Sequence, residues 1–348
     1  MRWGRATVRT VKLPQVGVET TVVGFGCAGL FRLPRRADRR AVLEAAYDAG
    51  IRHFDVAPMY GLGMAESELA PVLKGRRAEI TVTTKFGIGM TVAGRLAGRV
   101  QGPARALLAT QPSLGEELKA RGRGPRSGWV GRMLYSPEGY SVRSAERSLA
   151  HSLRALQTDY IDVFTLHDPV GHLAGGAPDL LAYLNRQRDA GRIRAWGITG
   201  EIRDLLEVAR ELQEPAPLIQ FRDDVFEPLP TTDAGLAEAR ITFGGMSRVL
   251  PAMRRFLANH PDECNKWSER LTMNLREKAV LPTLLLRQAL RRNPGGVALF
   301  TSTSSGRVRS AAESVSDAAA VMDPNESLAT SGLADATRAQ TAEPFGSS

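Results

Sequence analysis

Four side chains able to hold or move protons stand at, or just past, the ends of segments that read as buried strands. Asp55 closes His-Phe-Asp, Lys85 closes Thr-Val-Thr-Thr-Lys, and His167 closes Asp-Val-Phe-Thr-Leu-His. Tyr60 follows Asp55 by five residues, in the loop that leaves the same segment. A charge ending an apolar strand is costly unless paired, so Asp55 and Lys85 invite each other. A phenol, an ammonium, a carboxylate and an imidazole in one place could transfer a proton and stabilise developing charge. Alone, each has an ordinary reading. Asp55 caps a turn, Tyr60 packs, Lys85 is a solvated strand end, and His167 is a satisfied core histidine. Only an architecture that brings these ends to one rim makes them a site.

The elements that must do this are legible as an alternation. Short apolar or β-branched runs bounded by Gly, Pro or Asp predict strands over 21–26, 52–57, 79–85, 160–167, 193–199, 218–221, 240–244 and 297–301. Helical periodicity predicts helices over 39–49, 144–156, 180–190, 203–212 and 277–292, with Gly50 and Gly191 as stops. Strands alternating with helices argue for a parallel sheet, and eight such units argue for closure into a (β/α)8 TIM barrel. In such a barrel, reactive groups come from the C-terminal strand ends. A doubly wound sheet is the rival. Gly24, Gly26 and Gly29 have its fingerprint spacing, but Pro34 interrupts the stretch that should open a helix at once. Residues 8–20 suit an N-terminal hairpin turning at Pro14 and Gly17, and 88–140 forms a long insertion after the third strand. The barrel is expected to occupy 1–317. The tail 318–348, rich in Ala, Ser, Thr and Asp, is expected to be disordered.

Three ordered stretches carry a family resemblance. Ala-Gly-Ile-Arg-His-Phe-Asp-Val-Ala-Pro-Met-Tyr-Gly ends at Gly61 and is followed by Ala65-Glu66 and Leu73-Lys74-Gly75. Ser-Leu-Arg-Ala-Leu-Gln-Thr-Asp-Tyr-Ile-Asp-Val-Phe lies within 144–169, and Gly-Arg-Ile-Arg-Ala-Trp-Gly-Ile-Thr begins at Gly191. Together they resemble the aldo-keto reductases over about residues 8–311. The resemblance implies a catalytic tetrad of Asp55, Tyr60, Lys85 and His167. Tyr60 would be the general acid for carbonyl reduction. Lys85 would favour its phenolate in the reverse direction, Asp55 would orient the ammonium, and His167 would orient the substrate oxygen. It also implies a nicotinamide site. Thr199 and Gln220 would contact the carboxamide, and Phe243 would stack on the ring where the family usually has tyrosine. Ser302, Thr303, Ser304 and Arg307 would hold phosphate at a helix start. Thr301 stands where many members have lysine, Ser310-Ala311 replaces Glu-Asn, and Gly200 replaces asparagine. NADP(H) is favoured over NAD(H).

Composition narrows the remaining classes. A chain of 348 residues, 43% hydrophobic, can bury a barrel-sized core. Much of the formal charge of +9 falls within 86–140, where basic residues meet aromatics only near Trp129, Tyr135 and Tyr140. That is a poor stacking platform, so no nucleic-acid partner is expected. Cys27 and Cys264 are too few and too far apart in sequence to suggest a disulfide framework or a zinc site. With no leader-like or membrane-length apolar run, a cytoplasmic location and no membrane partner are expected. Asp223, Asp224 and Glu227 are read as a solvated loop, with a polar or cationic pocket as the alternative. The insertion could cover the pocket, with Trp129 or Tyr135 as apolar wall, or be a solvated disordered loop. A small carbonyl or alcohol is the expected substrate. The alternative function is a nucleotide-binding regulatory barrel with little turnover, resembling potassium-channel β-subunits.

Overall fold

The computed structural model describes residues 8–14, 16–91, 135–137, 139–169, 171, 173, 177–212, 214–228 and 238–341. Its centre is a closed ring of eight parallel strands. In ring order these are β3 (Val23–Gly26), β4 (His53–Asp55), β5 (Thr81–Phe86), β8 (Ile161–His167), β9 (Ile193–Gly200), β10 (Leu218–Arg222), β11 (Ala239–Phe243) and β12 (Val297–Phe300). β12 pairs with β3 and shuts the ring, with Phe300 opposite Phe25. Every strand expected from the sequence is present.

The strands are buried on both faces, as parallel strands under helices must be. The helices that flank them are α1 (Arg36–Asp48), α2 (Ala65–Leu73), α3 (Val142–Leu156), α4 (Pro178–Asp189), α5 (Ile202–Glu211), α6 (Val249–Asn259), α7 (Pro261–Leu271), α8 (Val280–Arg292) and α9 (Ser305–Ser314). α3 begins at a capping box, Ser141 accepting from the Ser144 amide while the Ser144 hydroxyl accepts from the Ser141 amide. That reciprocal bond gives the helix a sharp start immediately after the insertion.

The leading hairpin pairs β1 (Thr10–Leu13) with β2 (Val18–Thr21). Its Leu13, Val16 and Val18 pack against Ala195, Leu218, Ala239 and Val297, at or near the beginnings of the barrel strands. The hairpin therefore plugs the N-terminal end of the barrel. Deep in the wall, Asp162 accepts from Arg77 at 2.8 Å and from the Val82 amide at 2.9 Å. Burying that carboxylate is tolerable because its partners are in place.

Two expectations need correction. Residues 318–341 are not a disordered tail: they form α10 (Ala318–Met322) and α11 (Pro324–Thr341). Ala329, Leu333 and Ala334 of α11 join a second apolar cluster with Met253, Trp267 and Leu284. Glu326 anchors the helix, accepting from Arg287 at 2.7 Å and Arg291 at 2.8 Å. Gly332 lies so close to the Trp267 ring that a methyl there would collide with it. The tail's small residues are thus what lets the helix seat, a reason composition alone misleads.

The acidic run after β10 is the second correction. Asp223 and Asp224 are buried and ion-paired, not a solvated loop. Asp223 pairs with Arg292 of α8 at 2.9 Å, and Asp224 pairs with Arg248, just before α6, at 2.9 Å. Glu227 also accepts from Arg248, at 2.8 Å.

Candidate active site

The C-terminal strand ends gather at one mouth. Asp55 ends β4, Lys85 lies one residue from the end of β5, and His167 ends β8. Tyr60 sits in a single turn, Tyr60–Leu62, whose first amide bonds to the Ala57 carbonyl at 3.0 Å. The structure brings all four together. Lys85 Nζ donates to Asp55 Oδ2 at 2.6 Å and to the Val56 carbonyl at 3.1 Å. The same nitrogen lies 5.1 Å from the centre of the Tyr60 ring. The Tyr60 and His167 rings meet edge to face, their centres 6.2 Å apart.

The electrostatics follow from burial and that ion pair. Desolvation opposes the charge on Lys85, which is 1% exposed, but Asp55 and Tyr60 outweigh it and raise the ammonium's pKa. Burial pushes the Tyr60 phenol up further than Lys85 pulls it down, so the group stays protonated. Burial, aided by Lys85, depresses His167 to about 3 and leaves a neutral imidazole. A proton donor, a fixed cation and a neutral ring thus face one another. That set can give a proton to an oxygen and stabilise the charge left behind.

The expected cofactor residues fall into three groups. Thr199 and Gln220 are buried and joined to the Asp55–Lys85 pair. Gln220 Nε2 donates to Asp55 Oδ2 at 2.8 Å, and the Thr199 hydroxyl is 2.7 Å from Thr165 Oγ1 and 3.3 Å from Gln220 Oε1. Phe243 ends β11 at the rim, with the Arg222 guanidinium 5.2 Å from its ring centre. Arg222 is held there by Glu201 at 2.8 Å. Ser302, Thr303, Ser304 and Arg307 form the approach to α9. The Ser304 hydroxyl caps the helix, and Arg307 reaches back to Ser302 Oγ at 3.4 Å and Thr303 Oγ1 at 3.2 Å. No acidic residue lies in the first turn of α9. Hydroxyls, helix amides and a guanidinium without a carboxylate are a donor set suited to phosphate.

Sequence reasoning overlooked several neighbours. Cys27 is wholly buried, and burial, then the nearby Asp55, raises its thiol pKa. Glu66, quoted only as part of a motif, is 1% exposed and accepts from the Thr84 hydroxyl at 2.7 Å. Desolvation raises its pKa. Tyr140, assigned only to the basic insertion, lies against the His167 peptide. Residues 92–134, with Trp129, lie outside the described residues, and Tyr135 is described only as backbone of β7 (Tyr135–Pro137). β7 pairs antiparallel with β6 (Ile88–Met90), which gives the insertion a paired stem.

A closed (β/α)8 barrel with these groups at its mouth defines the class. The chain belongs to the aldo/keto reductase family, whose model matches residues 22–222. It is 32% identical over 200 residues to D-threo-aldose 1-dehydrogenase of Pseudomonas sp, covering 55% of this chain and 53% of that protein. It is 32% identical over 219 residues to pyridoxal 4-dehydrogenase of Microbacterium luteolum, covering 57% and 58%. The chain thus spans a little over half the length of these curated relatives. Among solved structures, it matches an aldo-keto reductase from Bacillus halodurans in its holo form (TM-score 0.64, 20% identity, 94% and 96% covered). The glycerol dehydrogenase of Gluconobacter oxydans gives TM-score 0.64 at 18% identity, with 97% and 98% covered. Both structural likenesses speak to the fold.

Proposed function

We propose that the chain is a nicotinamide-dependent oxidoreductase that interconverts a small polar carbonyl and its alcohol. The observation that carries this is the buried 2.6 Å Lys85–Asp55 pair beneath Tyr60, facing His167 at the barrel mouth. A bound nicotinamide supplies or accepts the hydride. The remaining work belongs to side chains. Tyr60 gives its proton to the carbonyl oxygen during reduction and takes it back during oxidation. Lys85, fixed by Asp55, stabilises the phenolate that this leaves. The neutral His167 ring directs the substrate oxygen toward Tyr60 and helps to support its growing charge.

In this reading Thr199 and Gln220 hold the carboxamide, and Phe243 stacks on one face of the ring. The α9 approach, with Ser302, Thr303, Ser304 and Arg307, takes phosphate. Because Arg307 adds a guanidinium there, NADP(H) is favoured over NAD(H). The names of relatives include both an NADH-specific methylglyoxal reductase from Escherichia coli and an NADP(+) reductase from Schizosaccharomyces pombe, so rates with each dinucleotide decide this. The other relatives' names point to aldoses and pyridoxal, both polar aldehydes.

The test is a panel of polar aldehydes and alcohols followed by absorbance of the reduced dinucleotide, repeated with Tyr60→Phe. The variant should lose about 10²–10⁴-fold in kcat while binding dinucleotide as the wild type does. Full activity in Tyr60→Phe would remove the proton-donor assignment.

A further inference from the structure

His167 is followed by a residue in an unusual conformation. Asp168 has φ +54°, the left-handed region that non-glycine residues seldom occupy without support. Both ends of the peptide joining the two residues are tied. The Asp168 amide donates to the Thr199 carbonyl at 2.7 Å, and the His167 carbonyl accepts from the Tyr140 hydroxyl. One tie comes from the neighbouring barrel strand. The other comes from the last residue of the insertion.

The Tyr140 ring is itself closely seated. It lies over Gly87, whose φ is +109°, and it occupies the space where a side chain at that position would begin. It also packs against Phe86 at 6.0 Å, and Phe86 stacks on Phe164 at 4.8 Å. Gly87 thus does two things at once: it turns the chain from β5 into β6 and leaves room for Tyr140. On the other side of the stem, Met90 fills the space beside Gly63, at the end of the turn that carries Tyr60. The insertion's base therefore touches the surroundings of both the phenol and the imidazole.

We infer that Tyr140 is a positioning residue: by holding the His167 carbonyl, it fixes the strained peptide that sets the direction of the His167 ring. This rests on the proposed role of His167. The hydroxyl does the holding and the ring does the packing, so Tyr140→Phe separates the two. It removes the donor from the His167 carbonyl and keeps the seat over Gly87 filled.

The experiment uses the full-length chain, a carbonyl from the panel that the wild type turns over, and dinucleotide at saturation. Tyr140→Phe should lower kcat about tenfold, the size of one modest hydrogen bond, with dinucleotide Kd and thermal midpoint close to the wild type. With 13C-labelled histidine, the His167 signal, assigned by its loss in His167→Asn, should move in Tyr140→Phe while that of His53 stays. Equal kcat together with an unmoved His167 signal overturns the role of Tyr140. So does a kcat loss matched by an equal loss of dinucleotide affinity, which would indicate general damage. A wild type inactive on every carbonyl and alcohol with either dinucleotide would instead overturn the reading of the site itself.

Discussion

Arg307 is exposed, but its guanidinium turns back over Ser302 and Thr303. If those hydroxyls and that guanidinium receive a 2′-phosphate, removing the charge should be felt by only one of the two dinucleotides. Arg307→Ala should raise KM for NADPH about tenfold, a charge-assisted contact discounted for exposure, and leave KM for NADH within about twofold. Equal changes in both would detach Arg307 from the phosphate. Protonation gives a second residue-level expectation. Burial holds both His53 and His167 at about 3, so neither takes up a proton in the folded state between ordinary histidine values and that limit. In the unfolded chain both take one near about 6.5. Their contribution to stability is therefore present above that value and is lost as pH falls toward 3. Glu66 has the opposite sign: burial raises its pKa, so its charge costs stability at neutral pH and the cost fades on acidification. Glu66→Gln, which keeps an acceptor for Thr84, should raise the thermal midpoint more at pH 7 than at pH 5. Melts in which the gain is larger at pH 5 would contradict the sign. Asp55, Tyr60, Lys85 and His167 were legible because each stands at or beside the end of a readable strand. The Gln220–Asp55 bond was not, since it joins residues 165 positions apart and exists only once the ring is closed.

Among the elements, the barrel strands were legible to within a few residues because buried strands leave short runs rich in apolar and β-branched residues. Several helices were harder. α2 carries Pro71 in its interior, where proline ordinarily argues against a helix. α6 has proline at its third position, whereas α7, like α4 with Pro178, has the favourable placement, Pro261 at its first position. α11 was misread for another reason: Ala, Ser and Thr lower its hydrophobicity, yet alanine is the best helix former and small residues suit a close approach to Trp267. What fixes that helix is Glu326, buried between two arginines with side chains 13% and 9% exposed. Glu326→Ala would leave both guanidiniums uncompensated and should cost about 3–5 kcal/mol, measured by urea unfolding. A loss under about 1 kcal/mol, the range of a surface pair, would mean that α11 is held by its apolar contacts alone.

At the scale of the whole molecule, the tail, the hairpin and the ring behave as mutually dependent parts. α11 covers an apolar cluster built from α6, α7 and α8, and those helices bridge the last two strands. Ending the chain at residue 317 should expose Met253, Trp267 and Leu284 and produce aggregation or a lower thermal midpoint. Light scattering and melts of that shortened chain would show it, and a monomer as stable as the full chain would reverse the assignment of the tail to the folded body. Net charge belongs to this scale as well. The chain carries +9 overall, yet among the described residues many arginines are already committed to carboxylates, as Arg77, Arg248, Arg287, Arg291 and Arg292 are.

The pairing of β12 with β3 closes the ring between residues 23–26 and 297–300, the first and last of its strands along the chain. As the polypeptide leaves the ribosome, seven strands must wait beside two bare flanks until residues 297–300 emerge. Such flanks are templates for unwanted partners, so a newly made chain is exposed to them until β12 has emerged and docked. A product lacking β12 would also lack part of the wall around the mouth, because the seam that protects the sheet completes that wall.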